Sequence, residues 1–392
     1  MTRAAIVVGA GIGGLTAAHA LQRTGWRVDV YEQTPAIAPV GAGIGIAPNA
    51  VKALDALGLG HQIRSRGRRQ AGMAISDQSG RHLLRLSGDD ILRRYGAPFY
   101  ALHRATLHDI LLNQLDAQAL HTGHRATAIA TGIDSASATF ATESEESITA
   151  TADMVIVADG VQSRLRAALF PEHPGPTYAG YTVWRGHVDA PTPQIQPVLS
   201  ETWSRRGTRF GIAAIDSGIY WFACENLDEF DAPPHRLDLL ADRFHDWHDP
   251  IPRLLAATAE SRLLRQNVYY LRAPLPSFVH GRIALLGDAA HAVTPDIGQG
   301  ACLAVEDAAV LAAMTNTSGI DDGLHDYDAL RRPRTQRMAA MSGRIGAVAQ
   351  TSHPLAAWFR DRLTRALPTG LANRAVGGAF GWTPPTAGLA AP

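Results

Sequence analysis

Four glycines near the start of the chain have the spacing of a phosphate-binding turn. Gly9, Gly11, Gly13 and Gly14 belong to the run VGAGIGG, which matches the pattern G-x-G-x-x-G. Because these positions carry no side chains, the backbone N–H groups of the turn and of the helix after it can approach a pyrophosphate. Glu32 stands 18 positions after Gly14 (32 − 14), where a carboxylate can accept hydrogen bonds from ribose hydroxyls. We therefore expect these five residues to bind a dinucleotide.

The segments around this turn have the pattern of a βαβ unit. Residues 4–8 are a short run rich in β-branched side chains, residues 15–22 have a helical pattern, and residues 27–32 resume as a strand. The alternative is a tight turn that needs glycine only for its backbone angles. The coincidence of strand, helix and acidic residue favours a nucleotide site, but the turn alone does not distinguish FAD from NAD.

Two later segments add further chemistry. The first, MVIVADG at positions 154–160, places Asp159 directly after an apolar strand. Taken alone, an Asp-Gly pair after a strand is usually just a turn. The second runs from RIALLGDAAH at positions 282–291 through AVTPDIGQG at positions 292–300 into a helical pattern. Its candidate residues are Gly287, Asp288, Pro295, Gly298 and Gly300.

With these motifs the chain resembles the single-component aromatic hydroxylases, the FAD-dependent monooxygenases that include 4-hydroxybenzoate, salicylate, 6-hydroxynicotinate and urate hydroxylases. The likeness spans most of the chain. It implies that Asp288 binds the ribityl chain of FAD and that the loop from Pro295 to Gly300 lies beside the isoalloxazine ring. Glycines let the backbone approach a flat ring, and the helix N-terminus places positive potential where reduced flavin carries negative charge. The resemblance also implies that the Asp159 segment serves both FAD and a transient NAD(P)H.

Two weaker matches complete the cofactor side. Arg104 matches the arginine that the family uses near the FAD phosphates, although an arginine exposed at a helix start has the same pattern. Gly43 lies in GAGIG at positions 41–45, which resembles the mobile loop next to the flavin in these enzymes. A plain flexible turn is the alternative interpretation.

Three segments have the alternating pattern of strands, and we expect them to carry the substrate residues: 182–188, 208–215 and 219–224. We predict Arg209 and Tyr220 as catalytic residues, because a fixed positive charge lowers the pKa of an acidic phenol, enol or carboxylate and a tyrosine can hydrogen-bond the activating hydroxyl. Arg185, Tyr181 and Phe222 are further candidates for substrate binding. Arginine and tyrosine on half-buried strands also serve structural roles.

The resemblance implies that NAD(P)H reduces FAD, that O2 forms a C4a-hydroperoxyflavin, and that an electron-rich aromatic or enolisable ring is hydroxylated. Epoxidation, Baeyer–Villiger oxidation, a non-oxygenating FAD-dependent reductase or dehydrogenase, and a flavin-containing sensor remain alternatives. Ile46, Ala47 and Pro48 follow Gly45, so a histidine that some relatives place over the substrate is absent. The sequence does not identify the substrate.

The expected fold class is α/β, with a Rossmann-like FAD-binding domain, a second α+β lobe with a largely antiparallel sheet, and C-terminal helices. We assign 1–70, 100–178 and 268–345 to the FAD-binding domain, 71–99 and 179–267 to the substrate domain, and 346–392 to a helical segment and tail. This discontinuous arrangement follows from the return of an apolar strand at 283–286.

Composition limits the partners. The chain has 36 basic and 36 acidic residues, so its net charge supports neither a nucleic acid nor an anionic membrane as partner. The two cysteines, Cys224 and Cys302, provide neither a disulfide framework nor metal-binding spacing. We expect a cytoplasmic monomer or homodimer that acts on a small molecule and binds no metal.

Overall fold

The computed structural model describes residues 2–37, 42–116, 118–142, 146–189, 196–230 and 236–389. In chain order the strands are β1 Ala4–Val8, β2 Arg27–Tyr31, β3 Gly43–Ile46, β4 Arg68–Arg69, β5 Gly72–Asp77, β6 His82–Ser87, β7 Tyr100–His103, β8 Leu120–His121, β9 Arg125–Thr131, β10 Ala136–Ala141, β11 Ser147–Ala152, β12 Met154–Val157, β13 Thr177–Val188, β14 Val198–Trp203, β15 Arg209–Ile215, β16 Gly218–Asn226, β17 Leu264–Tyr270, β18 Val279–His280 and β19 Ile283–Leu285.

The helices are α1 Ile12–Arg23, α2 Pro48–Ala56, α3 Gly60–Arg66, α4 Gly88–Tyr95, α5 Arg104–Leu112, α6 Arg164–Leu169, α7 Leu237–Phe244, α8 Ile251–Ala257, α9 Asp288–His291, α10 Gly300–Thr317, α11 Ile320–Ala349, α12 Pro354–Ala366 and α13 Thr369–Phe380. Short 3₁₀ turns lie at Glu260–Arg262 and Pro295–Ile297. No helix in the described ranges is long and apolar enough to cross a bilayer.

The parallel sheet has the strand order β18-β19-β12-β1-β2-β8. Strands β19, β12, β1, β2 and β8 run parallel, and β18 pairs with β19 in the antiparallel sense. All four residues of β12 and all three of β19 are buried, as expected for central strands covered on both faces. The expectation that the N-terminal fold is completed by a late strand is therefore met in this sheet.

The antiparallel sheet has the strand order β17-β13-β16-β15-β14-β5-β6. Its pairs are antiparallel except for β14 with β5. One face packs its apolar side chains, including Trp184, Phe210 and Trp221, against residues of α7 and α8 such as Phe244 and Leu254. The opposite face is left for other contacts. The mixed α/β class with a second, largely antiparallel lobe is confirmed, while the exact domain boundaries stay a prediction.

The segment that resembled a mobile loop is partly a strand. Gly43–Ile46 forms β3, which pairs antiparallel with β7 from Gly43 opposite His103 to Ile46 opposite Tyr100. Gly41 lies outside the described residues. The pairing gives the backbone of residues 43–46 its hydrogen-bond partners. The sequence did not predict this strand, because glycine is uncommon in strands.

Two residues of the predicted C-terminal tail, Trp382 and Gly388, contact the helices before it. The ring of Trp382 lies 5.5 Å from the Arg331 guanidinium and 5.7 Å from that of Arg334. Asn316 donates a hydrogen bond to the carbonyl of Gly388. Residues 390–392 lie outside the described part of the chain.

Candidate functional site

The cofactor motifs meet at one edge of the parallel sheet. The glycine turn follows β1, Glu32 follows β2, Asp159 follows β12, and Gly287 with Asp288 follows β19. These strands are neighbours in the order β19-β12-β1-β2 and run parallel, so their carboxyl ends lie together. This edge is where open α/β sheets bind their ligands.

The glycine turn is too tight for side chains at three of its four positions. A Cβ on Gly14 would lie 2.0 Å from the Gly9 carbonyl oxygen, and one on Gly9 would lie 2.5 Å from that of Ala158. A Cβ on Gly13 would lie 2.8 Å from the side chain of Leu286. Gly11 differs, because no protein atom lies within 4 Å of its Cβ position. Three glycines therefore permit packing between the loops, and the fourth faces open space.

Glu32 is bound to the glycine turn itself. Its Oε2 accepts a hydrogen bond of 2.9 Å from the backbone N–H of Ala10, and its Oε1 accepts one of 2.9 Å from the N–H of Thr34. The carboxylate is thus fixed beside the turn that follows β1. A ribose hydroxyl bound there would be held by a rigid acceptor.

Asp159 carries an unpartnered buried atom. Its Oδ1 has no hydrogen-bond partner in the described structure. Burial raises the pKa of Asp159, against hydrogen bonds that include one from Ser163. Arg166 connects the loop after β12 to α9, because its guanidinium donates to the carbonyls of Val161 at 2.8 Å and Ala289 at 3.2 Å.

Gly287 and Asp288 begin α9 at the end of β19. Gly287 has φ +60°, a conformation that favours glycine, and its N–H donates to Asp307 at 3.1 Å. The Asp288 carboxylate has Arg104 among its charged neighbours. It also lies near the start of α10, since a Cβ on Gly300 would be 3.9 Å from Asp288 Oδ1. The structure therefore brings Arg104, Asp288 and Gly300 together.

The loop from Pro295 to Gly300 forms a 3₁₀ turn and then enters α10. Gly298 adopts φ +61° at the end of the turn. Helices α1 and α10 both lack a side-chain cap and an acidic residue in the first turn. Their N-terminal N–H groups are therefore available to a ligand with negative charge or partial negative charge.

These features fit FAD. The open space at Gly11, the uncapped start of α1 and the fixed Glu32 suit the adenosine diphosphate half. The unpartnered oxygen of Asp159 and the carboxylate of Asp288 are hydrogen-bond acceptors for hydroxyl groups. In the loop from Pro295 to Gly300, Gly298 and Gly300 provide backbone without side chains, which a flat ring can approach.

A cluster of buried charged residues on α9, α10 and α11 supports this edge of the sheet. Asp307 contacts His291 Nε2 at 2.5 Å and Arg331 Nε at 2.6 Å. Glu306, the preceding residue on α10, contacts Arg331 at 2.7 Å and Arg334 at 2.6 Å. Burial favours a higher pKa for Asp307, but His291 and Arg331 outweigh it and lower the pKa to about 2. Asp307 is therefore ionised at neutral pH and holds the N–H of Gly287.

The candidate substrate residues share one face of the antiparallel sheet. Arg209 pairs in register with Cys224, which pairs with Val183, and Gly211 pairs with Phe222, which pairs with Arg185. Because side chains alternate along strands, the following residues lie on the same face: Tyr181, Arg185, Arg209, Tyr220 and Phe222. This face is opposite to the one that packs against α7 and α8.

Arg209 connects this face to the loop that precedes α10. It is only 2% exposed, and its guanidinium donates to Asp296 at 2.7 Å, to Gln350 at 2.7 Å and to Glu201 at 3.0 Å. Tyr181 donates to the other oxygen of Asp296 at 3.0 Å. Asp296 belongs to the turn Pro295–Ile297, so one carboxylate joins the loop to the antiparallel sheet.

Tyr220 contacts β3. A Cβ on Gly43 would lie 2.4 Å from the Tyr220 ring, so glycine at this position permits the close packing. Burial raises the pKa of Tyr220, and the nearby Arg185 guanidinium opposes that rise. Arg185 itself donates a hydrogen bond to Gln266. Phe222 lies over Gly211, where a Cβ would be 2.0 Å from its ring.

Sequence reasoning missed the partners that hold these residues. Asp296 was part of a recognised motif but had no assigned role, and its position between two glycine-rich segments was the available signal. Gln350 gave no signal, because it is 141 positions from Arg209 along the chain. Glu201 is only eight positions from Arg209, but it lies on β14, which was not among the segments with an alternating pattern. Among the described residues, no group of three or more His, Cys, Asp and Glu side chains is arranged to hold a metal ion.

The fold and the features of this edge are those of a flavin-dependent oxidoreductase. A family model described as an FAD binding domain matches residues 2–342. The chain belongs to this FAD-binding family, among the FAD-dependent aromatic hydroxylases and monooxygenases.

Named relatives cover most of the chain. It is 37% identical to an aurachin C monooxygenase/isomerase of Stigmatella aurantiaca over 92% of this chain and 93% of the relative. It is 35% identical to an FAD-dependent urate hydroxylase of Klebsiella pneumoniae over 85% of this chain and 86% of the relative. The crystal structure of Klebsiella pneumoniae HpxO with FAD and uric acid superposes with a TM-score of 0.87 at 30% identity, covering 97% of this chain and 98% of that one.

Proposed function

We propose that this protein uses NAD(P)H and O2 to hydroxylate an electron-rich aromatic or enolisable ring. The observation that carries the proposal is the ion pair between Arg209 and Asp296. It joins the sheet face that bears the candidate substrate residues to the loop before α10, where the site has the features that FAD needs. Bound FAD would take reducing equivalents from NAD(P)H and transfer one oxygen atom of O2 to the ring.

Arg185 and Tyr220 would orient the substrate. Both lie on the same sheet face, and the charge of Arg185 acts on the Tyr220 hydroxyl. Because burial raises the pKa of Tyr220, its hydroxyl keeps its proton at neutral pH and can donate to a phenolate or enolate oxygen. The Arg185 guanidinium would stabilise the same anion, which makes the ring carbon next to it more electron-rich.

Arg209 would act by position. Its three donating nitrogens are engaged by Asp296, Gln350 and Glu201, so it holds the loop and the sheet in a fixed relation. A ring bound between the loop and the sheet would therefore meet the flavin at a constant distance. Phe222 and Gly211 provide an apolar surface for such a ring and help to exclude water.

The substrate class follows from this donor pair. A ring with an acidic hydroxyl, or an amide that can enolise, matches Arg185 and Tyr220 better than an alkene does, because an alkene gives the two donors no acceptor. The urate hydroxylase named above is a relative whose substrate is a ring of this kind. For this chain we therefore favour hydroxylation over epoxidation.

Oxygen uptake tests the proposal. The FAD-loaded protein is mixed with NADH or NADPH and with urate, 6-hydroxynicotinate, 3-amino-4-hydroxybenzoate or a 4-hydroxyquinolone. We expect at least one ring to stimulate O2 consumption and to gain one oxygen atom, with little peroxide. Reduction of a substrate without O2 consumption would instead identify a reductase or dehydrogenase. If the protein binds FAD but neither oxygenates nor reduces any ring, the result would favour a flavin-containing sensor.

A further inference from the structure

Helix α12 has its apolar side chains on the outside. Leu355, Phe359 and Leu363 are 67%, 59% and 71% exposed. An α-helix turns by about 100° per residue, so side chains four positions apart point in directions that differ by about 40°. The three side chains therefore span about 80° and form one stripe along the helix. Helices at protein surfaces normally turn such a stripe inwards. A stripe of this kind exposed to water marks an interaction site.

The buried residues of α12 are Ala357, Arg360 and Asp361, and the two charged ones are hydrogen-bonded. Arg360 donates to the carbonyls of Ser204 at 2.8 Å and Ala349 at 3.1 Å, and its guanidinium lies over the ring of Trp203. Asp361 accepts hydrogen bonds from Arg360. These contacts fix the rotation of the helix, because turning the apolar stripe towards the protein would break the buried hydrogen bonds from Arg360 to Ser204 and Ala349.

The exposed charges of α12 have one sign. They are Arg362 and Arg365, of which Arg365 also lies 3.4 Å from Asp77, and Arg374 follows on α13. Asp361 is the only acidic residue between positions 345 and 374, and it is buried against Arg360. Arg362 also lies 4.6 Å from the ring of Trp358, which in turn packs against Phe359. Leucine, phenylalanine and tryptophan beside arginines are typical of a helix that lies in a membrane interface.

We propose that the stripe of Leu355, Phe359 and Leu363 docks on the surface of a bilayer that contains anionic lipids, with α12 lying in the plane of the membrane. Thirteen residues at about 1.5 Å each are too short to cross a hydrocarbon core of about 30 Å. The basic residues attract anionic headgroups, and the leucines and phenylalanine enter the apolar layer.

A second copy of the chain is a poorer occupant. Two stripes packed about a two-fold axis would bring Arg362 of both copies to the same contact, and the one acidic residue of α12, Asp361, is buried against Arg360 and cannot pair with them. The balanced net charge of the whole chain predicted no membrane partner, but local charge decides binding at a surface, and the exposed charges of α12 are all positive.

The docking would place the antiparallel sheet near the membrane. Ser204 and Arg205, which contact Arg360 and Asp361, belong to the connection from β14 to β15. Arg209 is the first residue of β15. The helix that would touch the bilayer therefore supports the hairpin that carries Arg209.

Vesicle sedimentation tests the proposal on the full-length, FAD-loaded protein. The probes are phosphatidylcholine vesicles with and without phosphatidylglycerol. We expect binding to the anionic vesicles that weakens as salt is raised. The double variant Phe359→Ser with Leu363→Ser should bind at least about tenfold more weakly. The control is Ile133→Ser, which removes a still more exposed apolar side chain elsewhere and should bind as the wild type does.

The charge is tested separately. Arg362→Gln with Arg365→Gln should weaken binding to anionic vesicles by about fivefold per arginine, while Arg253→Gln on α8 should not change it. An unchanged flavin absorbance spectrum shows that each variant is folded. The proposal is overturned if the wild type stays in the supernatant at every lipid concentration or if the serine variant binds equally well. It is also overturned if the stripe mediates self-association, detected by sedimentation velocity, without vesicle binding.

Discussion

The edge of the parallel sheet and the inner face of the antiparallel sheet use different means to make a site. At the edge, glycines remove side chains so that loops from β1, β12 and β19 can touch, and the groups that face a ligand are largely backbone N–H groups. On the antiparallel face, long side chains such as Arg209 and Tyr181 reach a shared carboxylate from distant parts of the chain. The first site depends on local spacing, and the second depends on tertiary contacts.

The largest expected effect is at the glycine turn. Gly14→Ala places a Cβ 2.0 Å from the Gly9 carbonyl oxygen, so the turn must distort and the free energy of unfolding should fall by about 3 kcal/mol or more. We expect little folded protein and no bound FAD, measured by thermal unfolding and by flavin absorbance.

Gly11→Ala is the matched control for that change. Its Cβ meets no protein atom within 4 Å, so the apoprotein should unfold at the wild-type temperature. If Gly11 faces the pyrophosphate, the same methyl group should weaken FAD binding by about tenfold or more, which is about 1.4 kcal/mol. Wild-type FAD affinity in this variant would contradict the placement of the cofactor.

The next effect tests the ionic cluster below the edge. Asp307→Asn removes the charge that faces His291 and Arg331, and we expect a loss of about 3–5 kcal/mol in the free energy of unfolding. Asp89→Asn breaks the exposed pair with Arg69 and should cost at most about 1 kcal/mol. Equal losses in the two variants would show that the buried cluster has no special role.

The same residue makes a prediction about pH. The pKa of Asp307 is lowered to about 2 in the folded protein, against about 3.9 for a free aspartate. Its stabilising contribution is therefore complete above pH ~4 and is lost as the pH falls towards ~2. Denaturant unfolding of wild type and Asp307→Asn should show a difference that shrinks over that range. A difference that stays constant would contradict the assignment.

These two regions also differ in how far the sequence predicts them. The strands and helix around the glycine turn were predicted within a few residues, because spacing, glycine and apolar runs are local signals. The strand at Gly43–Ile46 was missed, since its pairing with β7 is a tertiary contact that overrides the low strand preference of glycine. The partners of Arg209 and the outward stripe of α12 likewise depend on which surfaces meet in three dimensions.

A smaller effect is expected on the antiparallel face. Arg209→Gln leaves Asp296 buried without its ion pair, so the loop should lose its fixed relation to the sheet. We expect FAD content to be retained, ring hydroxylation to slow by about 10²-fold, and the share of peroxide to rise. Arg209→Lys should restore little, because one ammonium group cannot reproduce a planar fork that serves three acceptors.

The control for this change is Arg206→Gln. Arg206 is exposed and lies in the same hairpin, so its loss should leave turnover unchanged. Full coupling of NAD(P)H oxidation to product in Arg209→Gln would show that the link between loop and sheet is not needed for catalysis.

The smallest effect belongs to the Tyr220 hydroxyl. Tyr220→Phe keeps the ring packed at Gly43 but removes the hydroxyl near Arg185 that is the proposed donor to the substrate. We expect kcat to fall by about tenfold, a loss of about 1.4 kcal/mol, with unchanged FAD content. Tyr178→Phe loses a hydroxyl that donates to the Leu227 carbonyl and should keep wild-type kcat. Equal kcat values for both variants would remove Tyr220 from the catalytic set.

The most direct measurement is the fate of heavy-isotope O2 in a reaction with the FAD-loaded wild type, NAD(P)H and a ring that stimulates oxygen uptake. Mass spectrometry of the product should show one labelled oxygen atom per hydroxylated ring, in near equality with the NAD(P)H oxidised. A product without the label, or label recovered only as peroxide with every ring tested, would contradict the proposal that this chain is a ring hydroxylase.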